Sequence, residues 1–148
     1  MSICWNYGLI IPDLPVEVYE KEYKPVFDKY DLLNMFLITP QTSNERIRFI
    51  DRVSNGFIYM VSSFSITGAV NSFNENQKNY FRRINSMGLK SKLLIGFGIS
   101  NNKTFLDATR NSRGAIIGSA FIKFLNNNNK ENIAEFINSV RGKSSSKH

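Results

Sequence analysis

Short apolar runs alternate along the chain with longer segments in which apolar residues recur at helical spacing. The runs are apolar at successive positions, as the strands of a parallel sheet are when helices cover it. They recur about every 25 to 30 residues, which is the spacing of βα units. The predicted strands cover residues 8–11, 32–38, 57–62, 93–97 and 114–117, and the predicted helices cover 16–29, 45–53, 74–87, 101–110, 121–125 and 131–140. The pattern therefore predicts an α/β fold of about five parallel βα units.

The length of the chain limits how these units can be arranged. A closed (β/α)₈ barrel needs eight units and ~250 residues, so 148 residues fall short by about three units. An open doubly wound sheet fits the length, but no G-x-G-x-x-G fingerprint follows the first predicted strand. We expect one domain over residues 1–141 and a disordered tail over 142–148.

Small and polar residues follow four of the predicted strands, at 12–15, 62–69, 96–100 and 118–120. The carboxyl ends of parallel strands meet at one edge of a sheet, where barrel enzymes keep their sites. Glycine, serine and threonine offer backbone N–H groups and hydroxyls to a phosphate with little steric bulk. Gly118 and Ser119 are the strongest phosphate candidates because Ser119 opens a short helix. Gly98 and Gly68 are candidates for further N–H donors.

The fourth predicted strand runs into a turn that brackets an aromatic ring between Gly96 and Gly98. Ser100 is then a natural N-cap for the next helix. Tyr59 and Phe97 would give flat apolar walls for an aromatic ligand, although composition alone favours a place in the core for both. An ordinary βα loop without a ligand is the alternative for the whole turn.

Candidate acid–base groups are scarce in this sequence. Asp13 is the only acid at a predicted carboxyl strand end, and a turn or helix-capping carboxylate beside Pro12 is the favoured alternative to catalysis. The single histidine, His148, is the last residue, so no Ser–His or Cys–His pair can form within the chain. The single cysteine, Cys4, allows no internal disulfide or thiolate metal site and favours a reducing cytoplasm.

The net charge of +7 would suit nucleic acid or an anionic substrate. The basic residues are scattered, and no stripe of alternating aromatic and basic residues appears, so we expect no nucleic-acid partner. No apolar run approaches the ~20 residues of a membrane helix, and the first residues lack the features of a signal peptide. We therefore expect a cytoplasmic protein with no membrane association.

Several runs occur together, in one order and at compatible spacing. They are Gly8-Leu9-Ile10-Ile11-Pro12-Asp13-Leu14-Pro15, Thr39-Pro40-Gln41-Thr42-Ser43-Asn44-Glu45-Arg46-Ile47, Gly56-Phe57-Ile58-Tyr59 with Ile66-Thr67-Gly68-Ala69, Gly96-Phe97-Gly98-Ile99-Ser100, and Gly118-Ser119-Ala120. As a set they resemble the tryptophan synthase alpha chain family, from its fourth strand to its eighth. The resemblance implies part of a TIM (β/α)₈ barrel, a lyase of tryptophan biosynthesis that cleaves indole-3-glycerol phosphate to indole and glyceraldehyde 3-phosphate by a retro-aldol reaction.

The resemblance also implies roles for particular residues. By motif match, Gly98, Gly118 and Ser119 hold the substrate phosphate, Thr67 and Gly68 lie in a loop that closes over the substrate, Tyr59 and Phe97 line the indole pocket, and Asp13, Leu14 and Pro15 lie near the surface that meets a beta chain. The implied partners are the tryptophan synthase beta chain, a small phosphorylated indole substrate and a separate N-terminal barrel fragment. No metal is implied, and the pyridoxal phosphate cofactor belongs to the beta chain.

Two departures from the family pattern bear on activity. The family's catalytic glutamate and aspartate lie in the part that this chain lacks, so no catalytic residue is assigned here. Ser65 stands where the closing loop usually has a glycine. Two alternatives therefore stay open: a non-catalytic remnant or partial barrel that still binds the beta chain, and another phosphate-binding βα-barrel enzyme.

Overall fold

Five parallel strands form one sheet in the computed structural model, which describes residues 7–62, 72–127 and 132–142. The strands are β1 (Gly8–Ile10), β2 (Leu33–Ile38), β3 (Ile58–Val61), β4 (Leu93–Gly96) and β5 (Gly114–Ile116). Their order in the sheet is their order in the chain, and every neighbouring pair is parallel. This is the strand order of a barrel wall, whereas a doubly wound sheet reverses its order at a switch point. The predicted parallel α/β fold is confirmed.

Helices connect successive strands, as predicted. They are α1 (Val16–Val18), a π-helical segment (Tyr19–Tyr23), α2 (Lys24–Lys29), α3 (Asn44–Val53), α4 (Glu75–Asn85), α5 (Asn102–Thr109), α6 (Ser119–Asn127) and α7 (Ile133–Arg141). The first three elements replace the single helix predicted over 16–29. Pro25 lacks the N–H that would bond to the carbonyl of Lys21, and a π-helical turn is one way in which a helix absorbs such a break.

Side-chain caps fix the starts of α3, α4 and α5, and the cap of α5 differs from the prediction. Ser43 Oγ accepts from the backbone N–H of Arg46 at 3.2 Å, as expected of an N-cap. Ser100, however, is not the N-cap of α5. Asn101 takes that place, because its Oδ1 accepts from Thr104 N at 2.9 Å while Thr104 Oγ1 accepts from Asn101 N.

The helix after β5 also differs from the prediction. Helix α6 begins at Ser119 and continues to Asn127, so it is longer than the predicted 121–125 and takes in the first part of the asparagine run. Residues 128–131 and the predicted tail after 142 lie outside the described residues.

The two faces of the sheet differ in burial. On β2, Phe36 and Ile38 are buried in a core that includes Ile47 of α3 and Phe81 of α4. The alternate residues of β2 are only half-buried although they are apolar, and Tyr59 on β3, the register partner of Leu37, is half-buried too. Within the described part of the chain, the helices therefore cover one face of the sheet and leave the opposite face partly open.

Both outer strands have an unpaired edge among the described residues. β1 pairs only with β2, and β5 pairs only with β4. Leu9 and Ile10 of β1 are each 44% exposed. Exposed apolar edges are unusual in a parallel sheet. An open face between two open edges is the geometry of one part of a barrel wall.

Asn55 substitutes for a strand partner at the start of β2. Its Oδ1 accepts from the backbone N–H of Asn34 at 2.9 Å, and its Nδ2 donates to the carbonyl of Leu32 at 3.2 Å. One side chain thus satisfies a donor and an acceptor of the β2 backbone from the loop that leads into β3.

Replacing Asn55 with alanine is expected to destabilise the chain by about 1–2 kcal/mol, because the backbone groups of Asn34 and Leu32 lose their partner. Urea unfolding followed by circular dichroism measures the change. Asn85→Ala is the matched control, since Asn85 is exposed at the end of α4, and it should shift stability by less than about 0.5 kcal/mol. Equal effects of the two substitutions would contradict the bridging role of Asn55.

Candidate functional site

The register of the sheet brings the candidate residues to one edge. Val61 is paired with Gly96, and Gly96 is paired with Ile116. Gly98 and Gly118 each lie two residues beyond that last pair, so the turns that contain them are neighbours. The loops after β2 and β1 continue the same edge, and the carboxyl ends of all five strands form one rim.

The turn after β4 has a left-handed backbone at two successive residues. Phe97 has φ +66° and Gly98 has φ +77°. Glycine adopts this conformation freely, whereas for an aromatic residue it costs roughly 1–2 kcal/mol. The chain holds Phe97 there through contacts with β3. Residues held in such a strained conformation cluster at active sites and ligand sites.

Tyr59 and Phe97 form an aromatic pair on the open face. Their ring centroids are 6.0 Å apart and their planes are nearly perpendicular, at 89°. Phe97 is 41% exposed, so it is not a core residue, and Tyr59 is half-buried. A phenol is protonated at neutral pH, and burial raises the pKa of the Tyr59 phenol further above its usual value. The pair presents a flat apolar surface beside the glycine turn, and its role in binding indole remains a prediction.

The ring of Tyr59 lies across Gly96. A Cβ built on Gly96 would lie 2.0 Å from the Tyr59 hydroxyl oxygen and 2.4 Å from its Cζ. Glycine is therefore required at this position for Tyr59 to keep its place on the open face.

The turn between β5 and α6 exposes backbone donors. Gly118 and Ser119 are both exposed, and the carbonyl of Gly118 accepts from the N–H groups of Phe121 and Ile122 at 2.9 and 3.1 Å. Ser119 is the first residue of α6, so its N–H group belongs to the free donors of the first turn. A Cβ on Gly118 would meet no atom within 4 Å. The structure thus leaves room above the amino end of α6, where the helix dipole favours an anion.

Asp13, Leu14 and Pro15 lie in the turn between β1 and α1. The turn is closed by a bond from Leu14 N to the carbonyl of Ile11 at 3.2 Å. Asp13 is exposed within this turn and does not cap the helix, because Pro15 occupies the N-cap position. Leu14 is half-buried against the core. The segment borders a groove of about 600 Å³ that also runs along the loop after β2.

Arg83 of α4 anchors the loop after β2. The sequence did not predict this contact. Its guanidinium donates to the carbonyls of Pro40 and Thr42 at 3.1 and 3.3 Å and to Asn44 Oδ1 at 2.6 Å. Tyr80, one turn earlier on α4, donates to the carbonyl of Ile38 at 3.1 Å. No sequence motif marks either contact, because both depend on how α4 lies against β2.

Ser65, Thr67 and Gly68 of the predicted closing loop lie outside the described residues. Within the described ranges, no group of three or more histidine, cysteine, aspartate or glutamate side chains could hold a metal ion. No described helix is long and apolar enough to cross a membrane.

Comparison with known proteins identifies the family. The family model for the tryptophan synthase alpha chain matches residues 6–146. This chain belongs to the tryptophan synthase alpha chain family. It is 60% identical to the tryptophan synthase alpha chain of Flavobacterium johnsoniae over 134 residues, which are 90% of this chain and 53% of that protein. It is 57% identical to the alpha chain of Christiangramia forsetii over 134 residues, which are 90% of this chain and 52% of that protein.

Solved structures of alpha chains share the fold. The tryptophan synthase alpha subunit of Pyrococcus furiosus superposes with a TM-score of 0.77 at 25% identity, over 92% of this chain and 55% of that one. The α2β2 complex of the same organism contains a chain that matches with a TM-score of 0.78 at 26% identity, over 92% of this chain and 56% of that one. This chain spans about half the length of the alpha chains that it matches. The described sheet is therefore part of an alpha-chain TIM barrel, and the predicted partial barrel is confirmed.

The binding roles of Tyr59, Phe97, Gly98, Gly118 and Ser119 stay predictions. The structure places Phe97, Gly98, Gly118 and Ser119 directly after the neighbouring strands β4 and β5, and the ring of Tyr59 on β3 contacts the ring of Phe97.

Replacing Gly96 with alanine is expected to destabilise the chain by about 1–3 kcal/mol, because the new Cβ overlaps the Tyr59 ring. Adding Tyr59→Val to that variant should recover at least about 1 kcal/mol, because the shorter side chain removes the overlap. Denaturant unfolding of the four members of the double-mutant cycle measures the coupling. Gly114→Ala is the control, since its Cβ would lie 3.1 Å from the movable Leu94 Cδ2. Additive effects of the two substitutions would show that the Tyr59 ring and position 96 are not in contact.

Proposed function

We propose that this chain supplies the substrate-binding part of an alpha-chain barrel that cleaves indole-3-glycerol phosphate to indole and glyceraldehyde 3-phosphate. The observation that carries the proposal is the meeting, at one end of the sheet, of an aromatic pair, half-buried Tyr59 and exposed Phe97, with the backbone donors of the neighbouring glycine turns. An indole phosphate ester needs both: a flat apolar surface for the ring and N–H donors for the anion.

The phosphate is assigned to Gly98, Gly118 and Ser119. Ser119 places an N–H group and a hydroxyl at the first turn of α6, a nine-residue helix. Gly98 contributes an N–H group from the adjacent turn. The open space around Gly118 permits an anion to approach the backbone at hydrogen-bond distance.

The indole is assigned to Tyr59 and Phe97. Phe97 offers an exposed ring edge-on to Tyr59, so an aromatic ligand can stack against one ring and contact the edge of the other. The protonated Tyr59 hydroxyl adds a hydrogen-bonding group at the boundary of this surface. Both aromatic residues lie on strands or at a strand end, where the sheet fixes their backbone.

The cleavage itself requires groups from the part of the barrel that this chain does not span. A retro-aldol step removes a proton from the glycerol hydroxyl next to the bond that breaks and delivers a proton to the indole ring carbon. Asp13 is exposed in a turn and is assigned to neither task. In this proposal, a glutamate on the second strand of the barrel and an aspartate in the following loop act as acid and base, while this chain orients the substrate.

The proposed protein partner is a tryptophan synthase beta chain. The Pyrococcus furiosus neighbour is described as an α2β2 complex. We assign the beta-facing surface to Asp13, Leu14 and Pro15, which border the same groove as the loop after β2 that Arg83 anchors. In such a complex the beta chain contributes the pyridoxal phosphate.

A non-catalytic partial barrel is the second candidate, favoured by the absence of an assignable acid–base pair among the described residues. It predicts binding of the beta chain or of phosphate without turnover. The two candidates agree on the binding residues and differ only in whether a completed barrel reacts.

A chimeric barrel separates these candidates. The chimera joins this chain to the part of the Flavobacterium johnsoniae alpha chain that the match does not cover, which the resemblance places before the fourth strand. We expect the chimera to release indole from indole-3-glycerol phosphate, measured by indole absorbance or fluorescence. A folded chimera that binds phosphate and releases no indole would favour the non-catalytic candidate.

Gly118→Ala is expected to lower the affinity for inorganic phosphate at least about tenfold, which is ~1.4 kcal/mol, because its Cβ enters the space assigned to the anion. Stability should change by less than about 0.5 kcal/mol, because Gly118 has no positive φ and no close neighbour. Calorimetric titration and thermal unfolding measure the two quantities. Gly88→Ala is the opposite control, since Gly88 has φ +62° and should lose about 1 kcal/mol of stability while keeping its phosphate affinity. Unchanged phosphate affinity in Gly118→Ala would contradict the assignment.

A further inference from the structure

A buried serine ties the end of β3 to the glycine turn after β4. Ser62 follows the last residue of β3 and is 1% exposed. Its hydroxyl donates to the backbone carbonyl of Phe97 at 2.5 Å. Phe97 is the residue with the left-handed backbone, so the hydroxyl of Ser62 is hydrogen-bonded to the strained residue of the turn.

The hydrogen bond fixes more than the carbonyl that accepts it. The carbonyl of Phe97 and the N–H of Gly98 belong to one planar peptide unit, and the chain has no cis peptide bond among its described residues. In a trans peptide the two groups point in opposite directions. Holding the Phe97 carbonyl toward Ser62 therefore aims the Gly98 N–H away from Ser62. That N–H donates to no acceptor in the described part of the chain.

Ser62 is itself held from two sides. Its N–H donates to the carbonyl of Gly96 at 3.1 Å, which extends the pairing of β3 with β4 by one step. Its carbonyl accepts from Gln77 Nε2 at 3.0 Å, and Gln77 is part of the capping box that starts α4. Both contacts use the backbone of Ser62, so replacing its side chain leaves them in place.

We propose that Ser62 is a positioning residue for the phosphate site, because its hydroxyl locks the Phe97–Gly98 peptide and thereby aims the Gly98 N–H at the bound anion. This inference rests on the proposed function, which assigns Gly98 to the phosphate. Without the hydroxyl, the peptide loses its only side-chain anchor among the described residues. Gly98 then permits the peptide plane to rotate, since glycine imposes little restriction on its own φ.

The test compares two buried serines in the full chain. Ser62→Ala removes the hydroxyl that grips the turn, and Ser54→Ala removes a buried hydroxyl that has no hydrogen-bond partner among the described residues. Titrations with inorganic phosphate and with indole give two affinities for each variant. We expect Ser62→Ala to lose at least fivefold in phosphate affinity and to keep indole affinity within about twofold, while Ser54→Ala keeps both.

A second measurement reports on the peptide directly. The amide resonance of Gly98 and its amide-to-Hα coupling constants, which report its φ, are read by nuclear magnetic resonance; both should change in Ser62→Ala and stay unchanged in Ser54→Ala. Ser62→Thr retains a hydroxyl and should restore the Gly98 resonance and the phosphate affinity.

Each outcome has a distinct meaning. Phosphate binding that is lost in Gly118→Ala and retained in Ser62→Ala overturns the role of Ser62 while the proposed function stands. Equal loss of phosphate and indole affinity in Ser62→Ala overturns it as well, since that result marks a general loss of structure. No phosphate binding by the unchanged chain overturns both proposals.

Discussion

Parallel pairing of strands in chain order is the constraint on which the rest of this structure depends. It places every βα turn on the same rim, so residues far apart in sequence become neighbours without any direct attraction between them. The register then fixes which residues meet. Because Leu37, Tyr59, Leu94 and Gly114 lie in one row across β2 to β5, Tyr59 faces the open side of the sheet, while Ile58 and Met60 face the helices.

The same constraint explains how much could be predicted from the sequence. Apolar runs identified all five strands, and their spacing identified the helices between them, because burial of one sheet face dominates the choice of residues there. The proximity of Tyr59 and Phe97 also followed, since Tyr59 lies within β3 and Phe97 directly follows the adjacent strand β4. What periodicity could not show is which face of an apolar strand stays open: Leu37 and Ile38 are equally apolar, and only Ile38 is buried.

Individual side-chain hydrogen bonds and single backbone dihedral angles could not be predicted from the sequence. Serine and asparagine are both good N-caps. Asn101 rather than Ser100 caps α5 because its side chain is the one that reaches Thr104 N. The left-handed backbone of Phe97 was also not predicted, because the neighbouring glycines, Gly96 and Gly98, are the residues expected to adopt such a conformation. Ser62 gave a weak signal: a serine directly after an apolar strand needs a hydrogen-bond partner when it is buried, and the sequence does not say which.

The last unit of the fold is held differently from the others. Helix α6 contains no buried residue, and it is attached mainly through Phe121 and Phe124, whose rings contact Phe136 of α7. Helix α7 in turn docks on α5 through the buried Val140, whose carbonyl accepts from Asn102. Segments with so little burial open at a lower free-energy cost than the sheet centre, so amide hydrogen exchange should be faster in α6 than in β3 or β4. An anion that binds only when the amino end of α6 is folded would make that local opening rarer. Anion binding and the folding of the outermost helices would then be thermodynamically coupled.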